Sequence, residues 1–192
     1  MGECSVFRWV LLGYGLGSIS FATLVAKCHG VEIRKVGSGN PGASNVARAL
    51  GKRAGRLVLV LDALKGALPV WVALRNEGEK AAAWAALAAV TGHCFPIWHR
   101  FEGGKGVATA AGALVVLDLP AALGGMLAYG VARRLTSKAS LRSIAGIVVG
   151  CGIALRLWPA PRAWAALGMS AIALWRHREN FARLLEGSEL DA

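Results

Sequence analysis

Apolar residues in this chain fall into long blocks, at 6–26, 55–74, 81–98, 107–132, 144–158 and 163–175. Blocks of this length predict helices that cross a bilayer, whose core of about 30 Å takes roughly 20 helical residues. The last two blocks are shorter and need flanking residues or tilt to cross. The block at 55–74 is interrupted by Asp62 and Lys65, and the block at 107–132 by Asp118-Leu119-Pro120. Proline suits the first turn of a new helix, so Pro120 divides that block in two. Undivided, the chain has six spans; divided, it has seven.

Charge decides between these counts. With seven spans and the N-terminus outside, the inside segments are 27–56, 99–105, 133–142 and 176–192. They hold 16 of the 22 Lys and Arg residues. Arg8, Arg75, Lys80, Arg156 and Arg162 remain outside, and Lys65 lies within a span. Six spans would move the cluster from Arg133 to Arg142 outside and blunt the asymmetry. The excess of basic residues in cytoplasmic loops therefore favours the division. The expected fold is all-α: a polytopic integral membrane protein of about seven helices, N-terminus outside and C-terminus cytoplasmic, with residues 1–192 as one domain. The piece at 107–117 is short enough that a re-entrant hairpin is an alternative to a full crossing.

Composition supports a membrane setting. Of 192 residues, 55% are apolar and 17% charged, yet the net charge is +11. Mean hydropathy is +0.49, which excludes disorder. Nucleic-acid binders share the basic balance but are far richer in charge, so no nucleic-acid partner is expected. The first block could pass for a signal peptide, but it lacks an A-x-A site and equally apolar blocks follow it. Cys4, Cys28, Cys94 and Cys151 form no CxxC pair and no zinc spacing, and read as small packing residues.

Polar residues gather in four stretches, all on the predicted inner face. The first runs from Val36 to Arg48. Gly37, Gly39 and Gly42 fit GxGxxG, but the acidic residue that a dinucleotide site needs is matched only by Asp62, inside a span. What survives is the physics of such loops: backbone amides converging on an anion, with Ser38, Asn40, Ser44 and Asn45 adding polar groups and Arg48 a charged fork. The second stretch contains His93 and then Gly103-Gly104-Lys105-Gly106 at the opening of a helix. Free amides and a lysine there point at one spot, although GxxxxGK[ST] is not matched. The third, 137–143, includes Ser143 and is explained nearly as well by contact with anionic headgroups. In the fourth, on a helix continuing from the last span, His177 and Asn180 share a face. Phe181, Leu184 and Leu185 suit an interfacial turn. Asp62 and Lys65 are expected to pair within the membrane, with transport as the second reading.

These elements favour phosphate-bearing ligands at a membrane surface. There is no GxSxG elbow, no paired carboxylates and no metal cluster, and no histidine is followed by Asp in HxxxxD spacing. No cofactor or metal is expected.

The stretches GSGNPGASNVARALGK, GHCFPIWHRFEGGKGVAT and RHRENFARLLEGSE resemble the three cytoplasmic motifs of the bacterial acyl-phosphate:glycerol-3-phosphate acyltransferases, the PlsY type. The resemblance covers nearly the whole chain. It implies a seven-helix enzyme of the bacterial inner membrane with its active site on the cytoplasmic side. Such an enzyme acylates position 1 of sn-glycerol 3-phosphate from a fatty acyl phosphate, giving lysophosphatidate and phosphate at the start of phospholipid synthesis. It would touch membrane lipids and the enzyme that makes acyl phosphate. Ser38, Gly39 and Asn40 would hold the acyl-phosphate headgroup. Arg48, Lys105, Ser143, His177 and Asn180 would hold glycerol 3-phosphate or nearby phosphate oxygens. The resemblance also makes Asn45, His93, Gly103 and Gly104 substrate-binding, and Lys105, His177 and Asn180 catalytic. Ser44 stands where the family more often has Thr, Glu102 where a basic residue is common, and Arg142 where a small one is usual. A transporter of phosphorylated metabolites is the rival reading, and a structural membrane subunit a third. Transport predicts polar residues along several spans and on both faces, whereas the predicted outer face is nearly bare.

Overall fold

A computed structural model describes residues 3–157 and 160–191. Trp158, the expected end of one apolar block, and the Cys4 side chain lie outside the described set. The described residues are mostly helical: α1 (Glu3–Gly17), α2 (Phe21–Cys28), α3 (Ala43–Leu50), α4 (Lys52–Cys94), α5 (Val107–Leu117), α6 (Leu119–Leu135), α7 (Ala139–Leu157), α8 (Arg162–Arg176) and α9 (Arg178–Leu185). Val6–Cys28, Lys52–His99 and Ala139–Leu157 are long and apolar enough to cross a membrane. The large apolar residues left exposed, such as Leu64, Leu68, Leu127 and Val148, fit a bundle whose outer surface meets hydrocarbon.

Two breaks refine the expected blocks. The first block is not one helix. The chain leaves α1 at Ser18 and restarts at Phe21, with Ser20 capping α2 through its side chain. The 43-residue α4 holds two blocks in succession and turns at Gly78 (φ 81°, ψ −167°), a backbone conformation open to glycine. Asp62 and His93, about equally far from Gly78 along the chain, approach within 3.7 Å, so the two arms fold back on each other. The division at Asp118 is present. Asp118 ends α5, and its carboxylate accepts from the Ala121 amide at the start of α6, with Pro120 in the first turn.

Small residues set how closely the helices approach. Added carbons at Gly13 and Gly17 of α1 would run into the carbonyls of Ala85 and Ala89 on the second arm of α4. Gly66 and Gly112 do the same where the first arm crosses α5, and Gly125 faces Gly146 between α6 and α7. Between lipid-soluble helices there is little hydrophobic drive, so tight backbone contact supplies the cohesion. The core around Ala81, Ala82, Ala85, Ala86 and Val90 is correspondingly fine-grained.

All four polar stretches meet at one end of the bundle. Arg34 donates to the Glu102 carbonyl, Arg176 to the Gly103 and Gly104 carbonyls, and Arg48 to the Asp191 carbonyl. At the other end Arg8 bonds Glu77 and Arg162 bonds Glu79. Replacing Gly66 with Ala sets a methyl against the Thr109 carbonyl, where neither backbone can yield. It is expected to destabilise the bundle by about 1–3 kcal/mol, read as a lower unfolding temperature in detergent; Gly15→Ala, which meets open space, is the control.

Candidate active site at the polar end of the bundle

A cavity of about 530 Å3 opens beneath the polar loops and continues down between α5, α6, α7 and α8. Its upper part is polar, lined by Ser38, Asn40, Arg48, Lys105, Ser143, His177 and Asn180. Its lower part is apolar, lined by Leu114, Ala121, Ala122, Ile147, Cys151 and Met169. Leu59 and Val60 of α4 and Met126 of α6 belong to its wall and are also exposed on the bundle's outer surface. The slot therefore reaches the membrane-facing side.

The loop at 36–42 is shaped from within by Asn45. Its amide nitrogen donates to the carbonyls of Ile33 (3.1 Å) and Val36 (2.9 Å), and its oxygen accepts from the Ser38 amide (3.1 Å). Gly39 donates its amide to the Val36 carbonyl. Asn45 is buried, borders the cavity and spends its hydrogen bonds on the loop, so it acts there as a scaffold under Ser38 and Asn40. Gly37 (φ 56°) lies against it, and any side-chain carbon at Gly37 would strike the Asn45 oxygen.

The Gly103-Gly104 pair differs from the expectation of free amides. The Gly103 amide donates to the Cys94 carbonyl and the Gly104 amide to the His93 carbonyl. The carbonyls of Gly103 and Gly104 themselves accept from Arg176, at 2.6 and 3.0 Å. These glycines are needed for closeness: a carbon at Gly104 would overlap the His93 ring. Neither they nor Gly39 lines the main cavity. The anion-favouring backbone is instead the start of α5, where Gly106 (φ 78°) turns the chain and Val107 and Ala108 border the cavity.

The last stretch also departs from the expected continuous helix. The chain breaks at His177 (φ −91°, ψ 1°) between α8 and α9. His177 and Asn180 still both face the cavity. The His177 Nδ1 lies 2.7 Å from the Ala173 carbonyl. A carbonyl can only accept, so the ring proton sits on Nδ1 and Nε2 is left as an acceptor. Burial, with a smaller push from Lys105, lowers the His177 pKa to about 4 despite the Ala173 hydrogen bond. The ring is thus neutral at ordinary pH. Asn180 donates its amide to Glu189 Oε1 at 2.7 Å, while its own oxygen is buried without a partner among the described residues. Such an orphan acceptor fits a ligand that brings a donor.

Glu189 and Arg183 also line the cavity, and the sequence pattern did not single them out. Arg183 Nε donates to Glu189 Oε2 at 2.9 Å. Burial alone would raise the Glu189 pKa, but hydrogen bonds from Arg183 and Asn180 hold it below the usual carboxylate range. Glu189 lay within the quoted third motif. Only the chain reversal at Gly187 (φ 71°) brings it back onto Asn180. Lys105 is pushed down to about 8 by burial, with Glu189 opposing that shift and Arg183 adding to it. Ser143 returns its hydroxyl proton to the Ala139 carbonyl at 2.9 Å, leaving lone pairs toward the cavity.

Comparison with known proteins agrees with this geometry. A family model described as glycerol-3-phosphate acyltransferase matches residues 7–187. A glycerol-3-phosphate acyltransferase of Anaeromyxobacter sp. (strain Fw109-5) is 45% identical over 189 residues, covering 94% of this chain and 93% of the relative. One from Rubrobacter xylanophilus is 45% identical over 184 residues, covering 94% and 92%. The crystal structure of PlsY (YgiH), an integral membrane glycerol 3-phosphate acyltransferase, in its glycerol 3-phosphate form superposes with a TM-score of 0.94 at 39% identity, covering 98% of this chain and 96% of that one. Its lysophosphatidic acid form gives 0.91 at 38% identity, covering 97% and 95%. The chain is an integral membrane protein and belongs to the glycerol-3-phosphate acyltransferase family.

Proposed function

We propose that this protein transfers a fatty acyl group from acyl phosphate to the 1-hydroxyl of glycerol 3-phosphate, releasing lysophosphatidate and inorganic phosphate. One observation carries the reading: a cationic, hydroxyl-rich pocket is continuous with an apolar slot that reaches the membrane-facing surface. That shape suits a donor with a phosphate head and a hydrocarbon tail, and leaves polar room for a second phosphorylated molecule. Transport is not favoured, because the relatives and the superposed structures are named acyltransferases. The names of the relatives and the two PlsY forms support glycerol 3-phosphate as substrate and lysophosphatidate as product.

In this reading Ser38 and Asn40 hold the donor phosphate, while Gly39 and Asn45 shape their loop. Arg48, Lys105 and Ser143 meet phosphate oxygens, helped by the start of α5. The Asn180 oxygen and His177 Nε2 accept the glycerol hydroxyl and orient it toward the acyl carbon. The hydroxyl oxygen bonds to that carbon, the bond to the phosphate oxygen breaks, and the departing phosphate takes the proton. A histidine whose pKa is about 4 is a poor base at neutral pH, which supports the phosphate as the proton acceptor. Most of the catalytic gain then comes from alignment of two bound substrates and from preorganised charge. His93, Gly103 and Gly104 support this constellation from one side.

The bundle is read as seven crossings within one domain, N-terminus outside and C-terminus inside, with the pocket on the cytoplasmic side of a bacterial inner membrane. The excess of basic residues at the polar end supports that orientation. An acyl-phosphate-producing enzyme is then the natural supplier of donor.

Three measurements test the assignment. Purified protein given glycerol 3-phosphate and an acyl phosphate is expected to make lysophosphatidate, and acyl-CoA is expected not to replace the donor. Product from neither donor overturns the enzyme reading, and product from acyl-CoA alone overturns the donor. His177→Gln is expected to raise KM more than it lowers kcat; a fall in kcat by orders of magnitude with binding intact would assign the proton to His177 instead. Lys105 is charged below its pKa of about 8, so kcat/KM is expected to fall as pH rises through 8. In Lys105→Arg that fall is expected to move to higher pH, because arginine keeps its charge.

A further inference from the structure

Asp62 and Lys65 have no part in the chemistry above, yet a buried ion pair inside a membrane bundle is costly to keep. They stand one turn apart on the first arm of α4, both buried, with Lys65 Nζ 2.8 Å from Asp62 Oδ1. Lys65 Nζ also donates to the Ile19 carbonyl at 2.6 Å, at the break between α1 and α2. On the other side, Asp62 Oδ1 lies 3.7 Å from His93 Nδ1, and that same nitrogen is 3.1 Å from Thr109 Oγ1. Ser18, Asp62, Lys65 and His93 border a small chamber of about 10 Å3. The Ser18 hydroxyl is fully buried and has no hydrogen-bond partner among the described residues. Asp62 and His93 each border both this chamber and the main cavity.

We propose that Asp62 is a positioning residue for His93, acting across a chamber that binds one water molecule. The chamber has the volume of a single water, and water is the ligand that satisfies an orphan hydroxyl beside a carboxylate and an ammonium. With its proton on Nδ1 the His93 ring donates to Thr109 Oγ1 at 3.1 Å, and the carboxylate 3.7 Å away favours that tautomer electrostatically, leaving Nε2 as an acceptor beside Gly104. Lys65 balances the carboxylate and ties the arrangement to the α1–α2 break. Because Gly104 rests on the His93 ring, the pair also fixes the loop that carries Lys105. The kinetic part of the proposal rests on the reading above, in which Lys105 meets substrate phosphate and His93 supports it from one side.

The test uses the full chain in detergent micelles with 15N-labelled histidine. The His93 signals, assigned by their loss in His93→Gln, are expected to report the Nδ1–H tautomer without substrate present. Asp62→Asn is expected to shift His93 toward Nε2–H or a mixture. It is also expected to raise KM for glycerol 3-phosphate about tenfold, the worth of one oriented hydrogen bond, with kcat within about twofold. Asp62→Asn/Lys65→Met removes both charges and keeps the experiment informative if a lone buried lysine prevents folding. An Nε2–H tautomer in the unaltered protein, an unchanged tautomer in the folded variants, or a loss confined to kcat overturns the positioning role. A high-resolution crystal structure is expected to show a water within hydrogen-bond distance of Ser18 Oγ, and its absence overturns the chamber's assignment. Failure of the unaltered protein to make lysophosphatidate would count against the acyltransferase reading and leave the tautomer result standing.

Discussion

Close approach between helix backbones is the constraint on which this architecture depends. In hydrocarbon the side chains of neighbouring helices gain little from leaving their solvent, so cohesion comes from contact area and from local dipoles. Glycine and alanine supply it where α1 meets the second arm of α4, and where the first arm meets α5. The consequence is selective. Where small residues pair, the helices touch. Where Leu114, Ile147 and Met169 line the walls, a slot remains. The acyl-sized cavity and the tight contacts are two outcomes of the same distribution of side-chain volume.

Polar groups face the opposite rule. An unpaired dipole is costly in the apolar zone, so most irregular chain gathers at the ends of the bundle, and the break inside the first block is capped by Ser20. The loops at the polar end are braced by three side chains that span sequence distance. Asn45 closes the first loop, Arg176 clamps the glycine loop, and Glu189 ties the C-terminal segment to Asn180 and Arg183. These braces hold Ser38, Lys105 and Asn180 at fixed places, which is what a reaction that relies on alignment requires. Burial then tunes what each group can do. It leaves Lys105 close to losing its charge and keeps His177 neutral.

The Asp62–Lys65 pair links these two regimes. It lies among the close-packed helices yet reaches the polar end through His93 and Thr109. Removing one member of such a pair typically costs about 3–5 kcal/mol because the other is left charged in an apolar interior. A pair of that kind is a rigid reference point between α1, both arms of α4, and α5.

Much was legible in the sequence. Apolar block length dictated membrane helices, Asp118-Leu119-Pro120 marked a real break, and the polar stretches carried the residues that line the upper cavity, because these depend on local composition and capping. Tertiary structure decided the rest. The amides of Gly103 and Gly104 had to be seen spent on the Cys94 and His93 carbonyls before those glycines could be read as packing elements. The breaks at Ser18–Ser20 and at His177 lie in stretches whose local pattern allows helix throughout. Glu189 entered the site only through a chain reversal. The sequence by itself determined which residues avoid water and which seek it, since that is a property of each side chain. Which amide, carbonyl or charge each polar group finds depends on distances between segments far apart in the chain, and only the folded bundle sets those.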